Sequence, residues 1–135
     1  MPAKRFLQGV ILTAVLSVAL ATGAAALARK DKSEEMLAKY EKTGETVTCV
    51  NLRAARDISV VDDYSLLVRA NGEYYLNEFS GRCSGLARER RYVHESTQNQ
   101  MCRGDTIRVV DSIGLPAGAC SLGEFEKLIE IDTAE

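Results

Sequence analysis

Four cysteines, Cys49, Cys83, Cys102 and Cys120, are the residues of this chain best suited to covalent chemistry. An even number of cysteines in a small exported domain is typical of a disulfide framework. An all-cysteine zinc site usually needs close cysteine pairs, which are missing, so we expect no metal and no cofactor. Four cysteines allow three pairings. We favour Cys49–Cys120, tying the first strand to the end of the domain, and Cys83–Cys102, closing a turn-rich stretch.

Acid–base chemistry has few candidates. His94 could act as a general base, but the adjacent Glu95 points to the opposite face of a strand and cannot orient it. Asp62 and Asp63 stand between two predicted strands, where we expect them to cap and bend the chain. A hydrolase using His94 with Asp62 or Asp63 is the enzymatic alternative. No nucleophile elbow or phosphate loop accompanies these residues, so we predict no catalytic residue.

A ten-residue stretch is rich in arginine. It contains Arg82, Arg88, Arg90 and Arg91. The planar guanidinium group suits carboxylates and phosphates, so this cluster is a candidate site for an anionic small molecule or glycan. The simpler interpretation pairs these arginines with acidic neighbours on a solvated surface.

The tripeptide Arg103-Gly104-Asp105 has the sequence of an integrin-binding motif. Because a cysteine precedes it and a predicted strand follows it, we interpret it as a turn.

The first 28 residues are typical of a secretory signal peptide. Lys4 and Arg5 precede an apolar run, and Ala26-Leu27-Ala28 predicts cleavage before Arg29. The product would be periplasmic or secreted. The alternative is an uncleaved inner-membrane anchor, because the uncharged stretch 6–28 is long enough to span a bilayer.

Charge excludes one class of partner. The whole chain has 17 basic and 19 acidic residues, and cleavage would remove two basic ones, leaving a net charge of −4. Non-specific nucleic-acid binding needs a basic surface, so we expect no nucleic-acid partner.

The remaining chain predicts a short helix or linker over 29–44, a disulfide-stabilised β domain over 45–126 and a C-terminal tail over 127–135. The helix is expected over 31–43, with Ser33 as its cap and Gly44 as its stop. The tail could be a short helix or an edge strand.

The domain is predicted to be mainly β. Two alternating runs flank Asn71-Gly72, the strongest short hairpin signal. The other predicted strands are Thr46–Leu52, Asp57–Val61, Arg90–Glu95 and Thr106–Ile113. Five to six short strands favour a small antiparallel barrel or a curved sheet.

Five short motifs give the chain a family resemblance. They are Val61-Asp62-Asp63, Tyr75-Leu76-Asn77, Arg82-Cys83-Ser84-Gly85-Leu86, Cys102-Arg103-Gly104-Asp105-Thr106-Ile107 and Cys120-Ser121-Leu122-Gly123-Glu124-Phe125. In this order they resemble a family of small exported proteobacterial proteins classed only as a domain of unknown function. The resemblance implies a bacterial cell envelope and supplies no catalytic residue.

We therefore expect a non-enzymatic binding or structural module. Its partner would be an envelope protein or an anionic envelope ligand, with membrane contact only if the N-terminal segment is uncleaved. A protein partner predicts an exposed apolar patch, which we place around Tyr74, Tyr75 and Phe79.

Overall fold

The computed structural model describes residues 32–96 and 98–132. The predicted signal peptide, residues 1–28, lies outside this range. Two helices are described, α1 over residues 32–37 and α2 over Leu86–Glu89. The strands are β1 Tyr40–Val47, β2 Cys49–Asn51, β3 Ala55–Val60, β4 Ser65–Ala70, β5 Glu73–Glu78, β6 Tyr92–His94, β7 Gln100–Cys102, β8 Thr106–Val110, β9 Pro116–Ser121 and β10 Phe125–Glu130.

The strands form three antiparallel sheets, which confirms the prediction of a mainly β, curved-sheet domain. The largest has the order β1-β10-β5-β4-β3, the smallest pairs β2 with β7, and the third has the order β6-β8-β9. Among the described residues the sheets do not close into a barrel. Ten strands are described, and not five or six. The structure adds β7 and β9, makes a strand of the predicted tail, and divides the predicted strand Thr46–Leu52 between β1 and β2.

The β4–β5 hairpin confirms the Asn71-Gly72 prediction. Both residues have positive φ, 54° for Asn71 and 77° for Gly72. This is the backbone that a two-residue turn needs to match the twist of the flanking strands. Leu67 and Leu76 are then partners across the hairpin.

The main core lies between one face of the five-stranded sheet and the two smaller sheets. It includes the fully buried side chains of Leu66, Val68, Ile107, Val109 and Phe125. A second, smaller cluster on the other face of the large sheet contains Val61, Leu67, Leu76 and Leu128, and Met36 and Leu37 of α1 pack against it. Helix α1 therefore covers the outer face of the large sheet.

The prediction of a helix over 31–43 is wrong in its second half. The helix stops at residue 37, and β1 begins at Tyr40 and pairs with β10 from Tyr40↔Glu130 to Val47↔Phe125. Long-range pairing has overridden local helix signals. Gly44, with a φ of 80°, lies where the register of β1 shifts, so it marks a bulge within a strand and does not end a linker.

The C-terminal segment is also more integrated than predicted. β10 is an interior strand between β1 and β5, and neither a helix nor an edge strand. Two other predicted strands are shorter in the structure. β6 starts at Tyr92, because Arg90 has a φ of 53° at the end of α2, and β8 ends at Val110, where a turn begins.

Within residues 32–96 and 98–132, no helix is both long enough and apolar enough to cross a membrane.

Candidate functional site

The preferred cysteine pairing is wrong. The disulfides are Cys49–Cys102, with Cα atoms 4.0 Å apart, and Cys83–Cys120, with Cα atoms 5.1 Å apart. The physical reason is the unpredicted strand β7, which pairs with β2 and puts Cys102 directly opposite Cys49. Cys120 on β9 is left to meet Cys83 in the segment before α2. All four cysteines are in structural crosslinks.

The two adjacent aspartates are structural, as predicted. Asp62 Oδ1 accepts hydrogen bonds from the backbone N–H of Tyr64 and from the Ser65 hydroxyl. Asp63 Oδ1 accepts from the backbone N–H of Ala87 in the first turn of α2, at 2.8 Å. The two side chains bend the β3–β4 connection and fasten α2 to it.

Three of the four clustered arginines have separate partners. Arg82 donates two hydrogen bonds to Asp63 Oδ2, Arg88 pairs with Glu89, and Arg91 Nη1 donates to the backbone carbonyl of Ser112 at 3.2 Å. Arg90 is exposed and sits at the end of α2. The four guanidinium groups therefore do not converge on one shared side chain.

His94 is partnered with Asp105 and not with Asp62 or Asp63. Its Nε2 lies 2.8 Å from Asp105 Oδ2, and the histidine side chain is only 9% exposed. The same carboxylate oxygen accepts the backbone N–H of Cys102. The contact lies at an open cleft of about 550 Å³ that Ser96 also lines, but the Ser96 hydroxyl donates to the carbonyl of Gln98 at 2.6 Å.

Arg103-Gly104-Asp105 forms the predicted turn. Gly104 has a φ of 87°, and the segment joins β7 to β8. Arg103 pairs with Glu124 while Asp105 faces His94, so the two charged side chains have separate structural partners.

The apolar patch predicted around Tyr74, Tyr75 and Phe79 is not present. Phe79 is buried in the main core, and Tyr75 packs against that core. Tyr74 packs against Tyr40 with the two rings tilted by 49° and their centroids 4.8 Å apart, and it lies under the guanidinium of Arg69. Burial and a hydrogen bond with Tyr74 raise the pKa of Tyr40 to about 12. These rings belong to the packing of α1 and the start of β1 against the outer face of the large sheet.

The two most exposed large apolar side chains described lie instead on the turn between β8 and β9. Ile113 is 77% exposed and Leu115 is 56% exposed, the two highest values among the large hydrophobic residues described. Sequence reasoning missed the exposure of Ile113 because it extended the β8 strand through that residue. A usable signal was present: Asp111 and Gly114 are turn residues, and apolar residues within a turn have no strand to bury them.

A single carboxylate orders this turn. Asp111 Oδ1 accepts the backbone N–H groups of Ile113, at 3.0 Å, and Leu115, at 2.9 Å. The Asp111 carbonyl accepts the N–H of Gly114, and the Asp111 N–H donates to the Leu115 carbonyl. The two aliphatic side chains are thus displayed on a hydrogen-bonded frame.

The exposed face of the three-stranded sheet continues from this turn. Ile107 and Val109 of β8 point into the core, so Arg108 points outward, and it stands in register between Val93 and Ala119. Val93 is half exposed. We call the group Ile113, Leu115, Arg91 and Val93 the tip surface.

Metal binding has no support in the geometry. Among the residues that the structure describes, no three His, Cys, Asp or Glu side chains are grouped so that they could hold a metal ion.

A family model, described as a family of unknown function (DUF6491), matches residues 6–134. Comparisons with curated proteins and with solved structures find no match.

Proposed function

The chain belongs to this family of unknown function, and we propose from its own geometry that it is an exported, non-enzymatic interaction module. In this proposal the tip surface docks on another component of the cell envelope. One observation carries the proposal: the two most exposed large apolar side chains described, Ile113 and Leu115, share a turn whose backbone is hydrogen-bonded to the Asp111 carboxylate.

Two aliphatic side chains exposed in one turn contribute little to the stability of the fold. Each aliphatic side chain left in water forgoes about 1.5–3 kcal/mol of burial energy. A rigid frame also reduces the entropy lost on binding, because the bound conformation is already formed. Exposure and order together favour a docking element over an incidental loop.

Export is supported by the crosslinks and by the N-terminal pattern. Disulfides persist in oxidising compartments and are rare in the cytosol, and both pairs are formed here. The proposal therefore includes removal of residues 1–28. Intact mass of the exported protein should show Arg29 as the first residue, and retention of the segment would support the membrane-anchored alternative.

Site-specific photo-crosslinking in the native envelope tests the docking proposal. A photoreactive residue at Leu115 should give a reproducible adduct, protein or lipid, that is lost when Ile113 is changed to Ser. The matched control is a photoreactive residue at Tyr64, which is 54% exposed on a different turn. Equal adducts from both positions, or none from position 115, would rule out docking through the tip surface.

An anion binder using Arg82, Arg88, Arg90 and Arg91 is the second candidate. It is favoured by the exposure of all four side chains. Charge reversal of Arg90 and Arg91 should abolish salt-sensitive binding of a polyphosphate or an anionic glycan. Unchanged binding would exclude this function.

A hydrolase is the third candidate, and the His94–Asp105 contact beside an open cleft is what favours it. Both partners also serve the fold, so activity must be separated from stability. Hydrolysis of an ester panel by the parent, lost in a folded His94→Gln variant, would support the enzyme. A parent protein without hydrolytic activity would remove it.

A further inference from the structure

We propose that the component bound by the tip surface is an anionic lipid bilayer. Ile113 and Leu115 enter the headgroup region, and Arg90 and Arg91 contact lipid phosphates. This inference rests on the proposed function and names its partner.

The shape of the apolar group favours lipid over protein. Two aliphatic side chains on a five-residue turn offer much less area than the roughly 800 Å² per partner that a stable protein interface buries. Shallow insertion into a bilayer needs no complementary partner surface, and its strength scales with the apolar area inserted.

The backbone of the turn has hydrogen-bond partners within the protein, which favours its entry into a medium of low polarity. Hydrogen bonds within the protein satisfy the N–H groups of Ile113, Gly114 and Leu115. Arg91 satisfies the carbonyl of Ser112. Backbone groups without partners cost several kcal/mol each in hydrocarbon, and this turn has already paired four of them.

Charge beside the turn has the sign that anionic headgroups require. Arg88 and Arg108 are paired with Glu89 and Glu95. No ion pair to Arg90 or Arg91 occurs in the described part of the chain, and the nearest carboxylate of the turn, Asp111, is occupied by two N–H donors.

The net charge of the rest of the molecule also favours an orientation with the tip surface towards the membrane. The chain without residues 1–28 has a net charge of −4, so an anionic surface repels most of it. Arg91, whose guanidinium contacts the turn at the Ser112 carbonyl, and its chain neighbour Arg90 are attracted by the same surface. The protein should therefore approach a membrane with the tip surface first.

The chain contains no tryptophan, so a single introduced one reports on its own position. Ile113→Trp places it on the turn, and Ile129→Trp is the control, on a side chain that is 48% exposed on β10. All variants are exported from the full-length chain and share one N-terminus, verified by intact mass. They are mixed with vesicles of phosphatidylcholine alone or with added phosphatidylglycerol.

The emission of Trp introduced at position 113 should shift to the blue with phosphatidylglycerol vesicles and be quenched by brominated acyl chains. The Ile129→Trp variant should show neither effect. Equal quenching at both positions would mean that the protein is tethered elsewhere, and no shift at position 113 would mean that the turn does not insert; either overturns the inference. An equal response to phosphatidylcholine alone would overturn the role of anionic lipid.

A charge test uses the same reporter. Arg90→Gln with Arg91→Gln should weaken partitioning roughly fivefold for each arginine removed, and added salt should do the same to the parent. The matched control, Arg53→Gln with Arg56→Gln, removes two exposed arginines near β3 and should change little. Equal losses from both pairs would contradict the assignment.

These outcomes separate the two proposals. A Leu115 photo-adduct to a protein, with no insertion of position 113 into vesicles, would leave docking intact and overturn the lipid inference. No adduct of either kind and no insertion would overturn both.

Discussion

Gly123 lies where the β9–β10 connection passes closest to the large sheet. A Cβ atom there would overlap the backbone carbonyl of Glu78. The fully buried side chain of Asn77 fills the space beside it, donating to the Gly123 carbonyl at 2.8 Å and accepting its N–H at 3.0 Å. The Asn77 amide thus pairs with the backbone N–H and carbonyl of Gly123, as the backbone of a neighbouring strand would.

Gly123→Ala should therefore destabilise the protein by about 1–3 kcal/mol, because the added methyl group meets backbone and not a movable side chain. Gly81→Ala is the matched control, since a Cβ there meets nothing within 4 Å. It should stay within about 1 kcal/mol of the parent. Urea denaturation measures both variants, and equal midpoints would contradict the expected contact.

Tyr40 makes stability depend on pH at the alkaline end. Its pKa is raised to about 12, first by burial and then by the hydrogen bond with Tyr74. The ordinary value is about 10, so the folded protein retains this proton when the unfolded chain has lost it. Stability contributed by Tyr40 is complete below pH 10 and is lost as the pH rises from 10 towards 12.

Tyr40→Phe should flatten part of this loss while keeping the ring against Tyr74. Urea midpoints between pH 9 and 12 compare the variant with the parent. Some slope should remain, because burial also raises the pKa of Tyr75 and Tyr92. A variant with the same slope as the parent would show that Tyr40 ionises freely.

At the scale of elements, each disulfide fastens a different pair of segments. Cys49–Cys102 joins two three-residue strands that, among the strands described, pair only with each other. Cys83–Cys120 joins the segment before α2 to β9, and Cys83 is fully buried in the main core. The sequence separations are 53 and 37 residues, so chain entropy alone predicts nearly equal contributions of roughly 4 kcal/mol each.

Because the two disulfides differ in burial, we expect their contributions to stability to differ. Cys83→Ala with Cys120→Ala removes buried sulfur as well as a crosslink, so it should lower the free energy of unfolding more than Cys49→Ala with Cys102→Ala. Denaturation of the two double variants gives the order directly. The reverse order would mean that the β2–β7 pair contributes more than its size suggests.

Elements fixed by local chemistry could be predicted from the sequence, and elements fixed by distant pairing could not. The Asn71-Gly72 hairpin was predictable because both turn residues carry the needed backbone freedom themselves. Strand β7 was not, because its three residues are a strand only by pairing with β2, about fifty residues earlier. The cysteine pairing failed for the same reason.

In the candidate site, too, local contacts could be predicted and contacts that depend on distant pairing could not. The role of Asp62 was predictable, since its hydrogen bonds go to nearby residues, Tyr64 and Ser65. Asp63 bonds to Arg82 and Ala87, 19 and 24 residues later, which the sequence could not show. The His94–Asp105 contact depends on the pairing of β6 with β8, so the sequence could not show it. The exposure of Ile113 depends on where β8 ends, which is the least certain part of a strand prediction.

For the whole molecule, β10 is the strand that completes the large sheet. It pairs with β5 on one side and β1 on the other, and Phe125 and Leu128 contribute to the two hydrophobic clusters. Without β10, β1 has no strand partner in the described fold.

A chain stopped before Phe125 should therefore fail to fold, with loss of dispersed amide signals in its NMR spectrum. A chain stopped after Asp132 keeps every strand and is the matched control. It should unfold in one transition like the parent. A folded product from the shorter chain would show that the β3–β4–β5 meander and the small sheets suffice.

The position of β10 also has a consequence for synthesis and for the export that we propose. Residues 40–47 leave the ribosome long before their partner strand at 125–130, and they stay without this partner until β10 has been made. A secretory channel threads unfolded chain, and a domain that cannot close its largest sheet until its last strand arrives is kept open for threading. In the export that we propose, this topology keeps the largest sheet open while the chain is threaded.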